Sequence, residues 1–315
     1  MSNVRWQGVF PAVTSKFHAD ETLDFEAMRK HFGFLIDNGV HGLVTCGSLG
    51  EASTLTLEEK LAVTRCAVEV SAGRIPVLAN VSETSTREAL RFIKEAVALG
   101  VDGFMLMPSL IYVADSREAM QSIRTMAEAA AKPCMIYNNP VAYRVDLKPE
   151  HMAELADCKW LVAIKESSDD IRRVTDLRNA LGDRYQLFIG VDDLSFEALA
   201  LGADGLLAGL VTAFPRETVA LYDLMKAGKW QEALALYQWF TPLLHLDVST
   251  KLVQNIKLAE TLAGVGNEHV RRPRLPLVGA ERERCTAIIE AQLAKRPRHC
   301  LLYTSDAADE RSSVD

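Results

Sequence analysis

The sequence predicts an α/β chain closed into a parallel (β/α)8 barrel, and three observations carry that expectation. Eight short apolar runs occur in order, each followed by a longer segment with helical spacing. The runs are apolar along their length rather than alternating, as for strands covered on both faces. Strands joined through helices pair in parallel, and eight such units match a closed barrel. An open doubly wound sheet usually has fewer strands and often a glycine-rich first turn. No GxGxxG follows the first run.

In chain order the strand candidates are 8–15, 42–46, 75–81, 103–107, 133–138, 161–165, 185–190 and 205–210. Helices are expected over 23–39, 57–73, 87–100 and 169–182. Each has apolar residues at i, i+3, i+4 and i+7 and ends in glycine, the residue favoured just past a helix C-terminus. Thr56 and Glu59 have capping-box spacing. The rhythm stops after residue 228. Segments 229–245, 249–264 and 280–295 read as three further helices, a C-terminal extension that could cap the barrel or form an oligomer contact. The Pro-rich stretch 271–279 reads as a packed loop. The expected division is therefore a barrel over 1–228 and a helical extension over 229–298. A tail over 299–315, rich in small and acidic residues, is set outside the fold as disordered or foreign.

The chain has 315 residues, 49% of them hydrophobic and 24% charged, with a net charge of −7 and a mean hydropathy of +0.03. Such a chain can bury a core without disulfides or structural metal. No apolar run approaches the ~20 residues of a membrane span. The N-terminus lacks a secretory layout, so the cytoplasm is the expected address and the six scattered cysteines are expected as thiols. The missing basic block argues against nucleic acid and membrane partners. The seven histidines form no HxH or HxxxH pair, so no metal site is expected. No P-loop or GxSxG is present, and no cofactor is called for.

In a parallel barrel, chemistry sits where strands end and βα loops begin. Three residues stand there. Lys165 ends strand six directly after Val-Ala-Ile, where burial would favour the neutral amine that a Schiff-base nucleophile requires. The same position suits a rim lysine paired with Glu166 or a nearby aspartate. Tyr137 ends strand five, and Ser48 lies in a glycine-flanked turn after strand two whose amides could hold an anion. Singly these suit a core tyrosine and a plain glycine turn. Together they place two hydroxyls beside an amine at one end of the barrel, a set able to move protons during imine chemistry. After strand seven, Asp192 and Asp193 would repel a phosphate and otherwise read as caps of the next helix.

The set CGSLGE (46–51), YNNP (137–140), IKESSDD (164–170), GVDD (190–193) and GADG (202–205) resembles the dihydrodipicolinate synthase / N-acetylneuraminate lyase family of class I aldolases, in order over about residues 6–295. The resemblance implies a TIM barrel with a C-terminal helical extension, usually a homotetramer. It also implies a Schiff base between Lys165 and a 2-oxo acid, with Tyr137 as proton shuttle. The turn Gly47–Ser48–Leu49 would hold the substrate carboxylate, and Gly190 and Leu210 would line the substrate.

The departures bear on substrate. The family's first motif commonly has two adjacent hydroxyl residues, whereas Leu49 follows Ser48 here. The lysine-pathway synthases carry an arginine two residues after the YNxP proline, to hold a second carboxylate. Here that position is Ala142, with Arg144 further on. Their tyrosine after strand four is Leu110 here, with Tyr112 displaced. YNNPVAYRVD, 240–260 and 272–282 look most like the family's 1-pyrroline-4-hydroxy-2-carboxylate deaminases, whose products are 2,5-dioxopentanoate and ammonia. The alternatives are a dehydratase or aldolase of a 2-keto-3-deoxy sugar acid, for which Leu49, Leu110, Ala142 and Leu210 make the rim rather apolar, a 4-hydroxy-tetrahydrodipicolinate synthase, and a catalytically silent barrel.

Overall fold

The computed structural model describes residues 6–297, so Cys300 and the expected tail over 299–315 lie outside the described residues. All eight apolar runs become strands: β1 (Gly8–Pro11), β2 (Leu43–Thr45), β3 (Val77–Val81), β4 (Gly103–Leu106), β5 (Cys134–Asn138), β6 (Leu161–Glu166), β7 (Gln186–Ile189) and β8 (Gly205–Ala208). They form one parallel sheet in the order β1-β8-β7-β6-β5-β4-β3-β2. A parallel bridge between Ala12 and Val44 joins β1 to β2 and closes the ring. The first strand ends earlier than its apolar run. Beyond Pro11 the side chains of Thr14 and Ser15 turn to Glu260 and to the Gly50 carbonyl.

The outer ring consists of α1 (Phe25–Asp37), α2 (Leu57–Ser71), α3 (Thr86–Ala98), α4 (Ser116–Ala130), α5 (Pro140–Tyr143), α6 (Pro149–Glu154), α7 (Arg172–Leu181), α8 (Ser195–Ala200) and α9 (Pro215–Lys226). Thr56 forms the expected capping box: its hydroxyl accepts from the Glu59 amide at 3.2 Å, and the Glu59 carboxylate accepts from the Thr56 amide at 2.9 Å. Gly39, Gly73, Gly100 and Gly182 all stand at positive φ just past their helices, which is why glycine ends each pattern. Gly205 has another reason. A Cβ there would meet the Gly8 carbonyl at 2.4 Å and the Phe188 ring at 2.5 Å, so β8 can lie against β1 and β7 only without one.

Three helices follow, α10 (Trp230–Leu244), α11 (Leu252–Leu262) and α12 (Gly279–Ala294). α10 packs on α8 and α9, and α12 on α10 and α11. α11 is buried on every side from Val253 to Glu260, because it is wedged between α12 and the C-terminal end of the barrel. Two of its charges enter the barrel wall. Lys257 pairs with Glu51 at 2.5 Å, and Glu260 pairs with Lys16, all four side chains being fully enclosed. The loop 271–279 is anchored at its start and at buried Leu277, but Leu275 and Val278 are exposed; the Arg271 guanidinium reaches Glu59 at 2.7 Å and the Glu21 carbonyl at 2.6 Å. No described helix is long and apolar enough to cross a membrane.

Candidate active site

Parallel register decides the first feature of the site. Tyr137 of β5 stands directly beside Lys165 of β6, and Asn138 beside Glu166. Side chains alternate along a strand, so the first pair shares one face and the second pair the other. Glu166 turns away from Lys165: its carboxylate accepts from the Asn138 amide at 3.1 Å and from the Ser168 backbone at 2.8 Å. The rim-lysine reading therefore loses its named partner. Among the described residues, the Lys165 amine forms no ion pair and lies over the Tyr137 ring, 4.1 Å from its centre. Burial pulls its pKa below the usual lysine value, against the opposing pull of Tyr143, Asp247 and Asp192.

Gly190, after β7, makes room for this lysine. A Cβ there would sit 2.1 Å from Lys165 Cε and 2.2 Å from Ser167 Oγ. Lys165, Tyr137, Ser48, Gly47, Leu49 and Gly190 all line one cavity of about 450 Å3 at the C-terminal mouth of the barrel. Leu210 does not line it. That residue is fully buried, and its amide donates to Asp192 at 2.7 Å, while Gly209 and Leu207 face the cavity instead. Leu110 also stays outside, so the expected apolar rim keeps only Leu49 and Ala142 and is joined by polar groups.

The turn after β2 is latched from outside. Cys46 and Glu51, at its two ends, both adopt left-handed backbone. Glu51 is held by Lys257 and by the Arg271 amide at 3.0 Å. The backbone amides of Ser48 and Leu49 have no protein acceptor among the described residues, so they are free to receive an anion. The Ser48 hydroxyl bonds to that of Tyr143, not to Tyr137. Tyr143 in turn meets the Tyr137 ring edge-on, with centroids 5.9 Å apart, and burial pushes its pKa up to about 12. The Tyr137 hydroxyl accepts from the Asn139 amide at 3.0 Å, and burial raises its pKa too.

Sequence reasoning missed several polar residues that line the cavity, among them Tyr143, Asp169 and Asp247. Tyr143 sits six residues past Tyr137 on α5, a helix too short to show a period. Asp247 lies in the loop between α10 and α11, where an acid in the run LLHLDV was the available signal. Asp192 does not cap the next helix. It accepts instead from the Gly209 amide at 3.0 Å and the Leu210 amide at 2.7 Å, tying β7 to β8. Arg144 is exposed and does not line the cavity, and Tyr112 bonds Glu118 on the outside.

An enclosed lysine amine beside a phenol, at the C-terminal mouth of a TIM barrel, is an arrangement that can form a Schiff base with a carbonyl substrate. The sequence profile of the Dihydrodipicolinate synthetase family matches residues 5–292, and the chain belongs to that family of enzymes. It is 33% identical over 288 residues to the 4-hydroxy-tetrahydrodipicolinate synthase of Geotalea uraniireducens, covering 90% of this chain and 98% of that one. It is 32% identical to the synthase of Methanoculleus marisnigri over the same shares. Among solved structures, dihydrodipicolinate synthase from Aquifex aeolicus superposes with a TM-score of 0.86 at 27% identity, over 91% of this chain and 98% of that one. YagE, a prophage protein of the same family from E. coli K12 solved with pyruvate, gives 0.87 at 26%, over 92% and 99%.

Proposed function

We propose that this protein is a lysine Schiff-base lyase that deaminates 1-pyrroline-4-hydroxy-2-carboxylate to 2,5-dioxopentanoate and ammonia. One observation carries the choice of substrate. Among the described residues, Lys165 is the single cation that lines the cavity, which also holds the carboxyl groups of Asp169 and Asp247. Once Lys165 becomes an iminium and the Ser48–Leu49 turn holds one carboxylate, no described lining residue supplies a cation for a second. The two acids favour the opposite: a substrate tail with hydroxyl and amine groups.

The Lys165 amine adds to C2 of the ring imine. The C2–ring nitrogen bond then breaks with a proton delivered to that nitrogen, leaving a C2 iminium on Lys165 and a primary amine at C5. Loss of a C3 proton gives an enamine, which expels the C4 hydroxyl as water. Tautomerisation moves unsaturation to C5 as an imine. Two waters then release ammonia from C5 and free Lys165 from C2. Tyr137 stands beside Lys165 to carry the C3 proton, while the Ser48–Tyr143 pair serves the carboxylate end. A homotetramer belongs to the same proposal. Exposed Ile111, Tyr112 and Val113 on the loop after β4 offer apolar surface for it.

The names of the relatives favour a second reading, 4-hydroxy-tetrahydrodipicolinate synthase, which joins pyruvate to aspartate semialdehyde. Ammonia release from the hydroxylated pyrroline carboxylate, run beside pyruvate consumption with aspartate semialdehyde, separates the two. Turnover of the first substrate alone supports the deaminase; turnover of the second alone replaces it with the synthase.

A further inference from the structure

A carboxyl pair, Asp247 lining the cavity and Asp192 behind it, takes no part in the steps above. Asp192 is buried behind β7 and β8, with backbone amides of Gly209 and Leu210 pointed at its oxygens at 2.7 to 3.2 Å. Asp247, from the α10–α11 loop, stands against the same Gly209 that donates to Asp192, and it lines the cavity. Two carboxyl groups crowded around one buried glycine disfavour a second charge, so one of them holds its proton. The amides that donate to Asp192 favour its carboxylate form, against the burial that raises its pKa, whereas no backbone amide donates to Asp247 among the described residues. The proton belongs to Asp247. Burial first, then the charge of Asp192, raise the Asp247 pKa well above the ordinary carboxylate range. A neutral carboxylic acid thus faces the cavity beside Lys165 and Tyr137.

We propose that Asp247 is the catalytic acid that gives its proton to the departing C4 hydroxyl, and that Asp192 is the positioning carboxylate beside it. This rests on the deaminase reading above. In the elimination step the enamine electron pair forms the C3=C4 bond and the C4–O bond breaks. The Asp247 proton goes to the oxygen, which leaves as water. The Asp247 carboxylate then takes the proton lost from C5 in the following tautomerisation, so the pair begins the next cycle with its one proton. The geometry also explains why residue 209 is glycine: a Cβ there would stand 2.6 Å from Asp247 Oδ1. The charged groups that face Asp247 are Asp192 and Asp193 after β7, Lys165 on β6, and the Tyr137 phenol on β5.

The test uses the full chain with Asp247→Asn and Asp192→Asn. The near-isosteric Asp247→Asn keeps a hydrogen-bond donor but cannot pass a proton. Its ammonia release should fall by about 10²–10⁴-fold, while pyruvate plus borohydride still modifies Lys165. With 1-pyrroline-2-carboxylate, which has no C4 hydroxyl to expel, wild type and variant should trap equally. In Asp192→Asn the acid loses the charge that keeps it protonated, so the basic limb of the kcat–pH profile should move to lower pH. A purely structural role would lower the profile without moving that limb. The proposal is overturned if Asp247→Asn deaminates at the wild-type rate, or if it also fails to trap pyruvate. If wild type itself releases no ammonia, the deaminase reading fails and this role goes with it.

Discussion

Substituting Gly190 by alanine tests whether the placement of Lys165 sets the rate. The backbone at Gly190 is not left-handed, so alanine adds volume without torsional strain. Its Cβ would meet Lys165 Cε at 2.1 Å, whereas carbon atoms in contact sit about 3.5–4.0 Å apart. The lysine stem must therefore retreat by about 1 Å or more, and a misplacement of that size costs on the order of 10²-fold in rate. The fold should lose about 1–3 kcal/mol to overpacking, which a barrel of this size tolerates. Gly33→Ala is the control: a Cβ there meets nothing within 4 Å on α1, so activity should be unchanged. The assay is the rate at which pyruvate and borohydride inactivate each variant, with a thermal melt to confirm folding. A folded Gly190→Ala protein that inactivates as fast as wild type would refute the reasoning.

Two further predictions concern buried ionisable groups of the barrel wall, Lys257 with Glu51 and His31. Lys257→Met removes the fully enclosed partner of Glu51 and leaves it only the Arg271 amide and the more distant Arg274, so urea unfolding should show a loss of up to about 3–5 kcal/mol. Adding Glu51→Gln should restore part of it. His31 is enclosed beside Thr212, and burial, with Lys16 adding to it, holds its pKa down to about 4. Unfolding frees His31 to take up a proton between pH 6.5 and about 4, so acidification across that window favours the unfolded chain, by roughly 3 kcal/mol in full. Melts from pH 7 to pH 4.5 should show a decline that His31→Gln flattens; an equal decline in the variant would remove His31 as its source.

Much of the barrel was legible because its signals are local. Apolar runs, capping residues such as Thr56 and terminal glycines such as Gly182 act within one element, and all eight strands stand where those signals put them. Lys165 and Tyr137 were legible for a related reason: strand ends in a parallel barrel converge whatever the loops do. Leu210 was misjudged because the chain turns sharply after β8. The amide of Leu210 goes to Asp192, and its side chain goes into the core. Tyr143 and Asp247 were missed because they reach the cavity from a four-residue helix and from a loop, neither with a period to read. The Glu51–Lys257 latch joins residues 206 apart in sequence, and such a pairing leaves no local trace.

The account turns on which lysine becomes covalent. Lys16 and Lys257 are as deeply buried as Lys165, but each is committed to a glutamate, whereas the Lys165 amine faces the cavity. Reduction with borohydride in the presence of the hydroxylated pyrroline carboxylate, followed by peptide mass mapping, tests this directly. The account predicts one substrate-derived adduct per chain, on Lys165, and none in Lys165→Ala. An adduct on another lysine, or ammonia release with no adduct and full activity in Lys165→Ala, would contradict it.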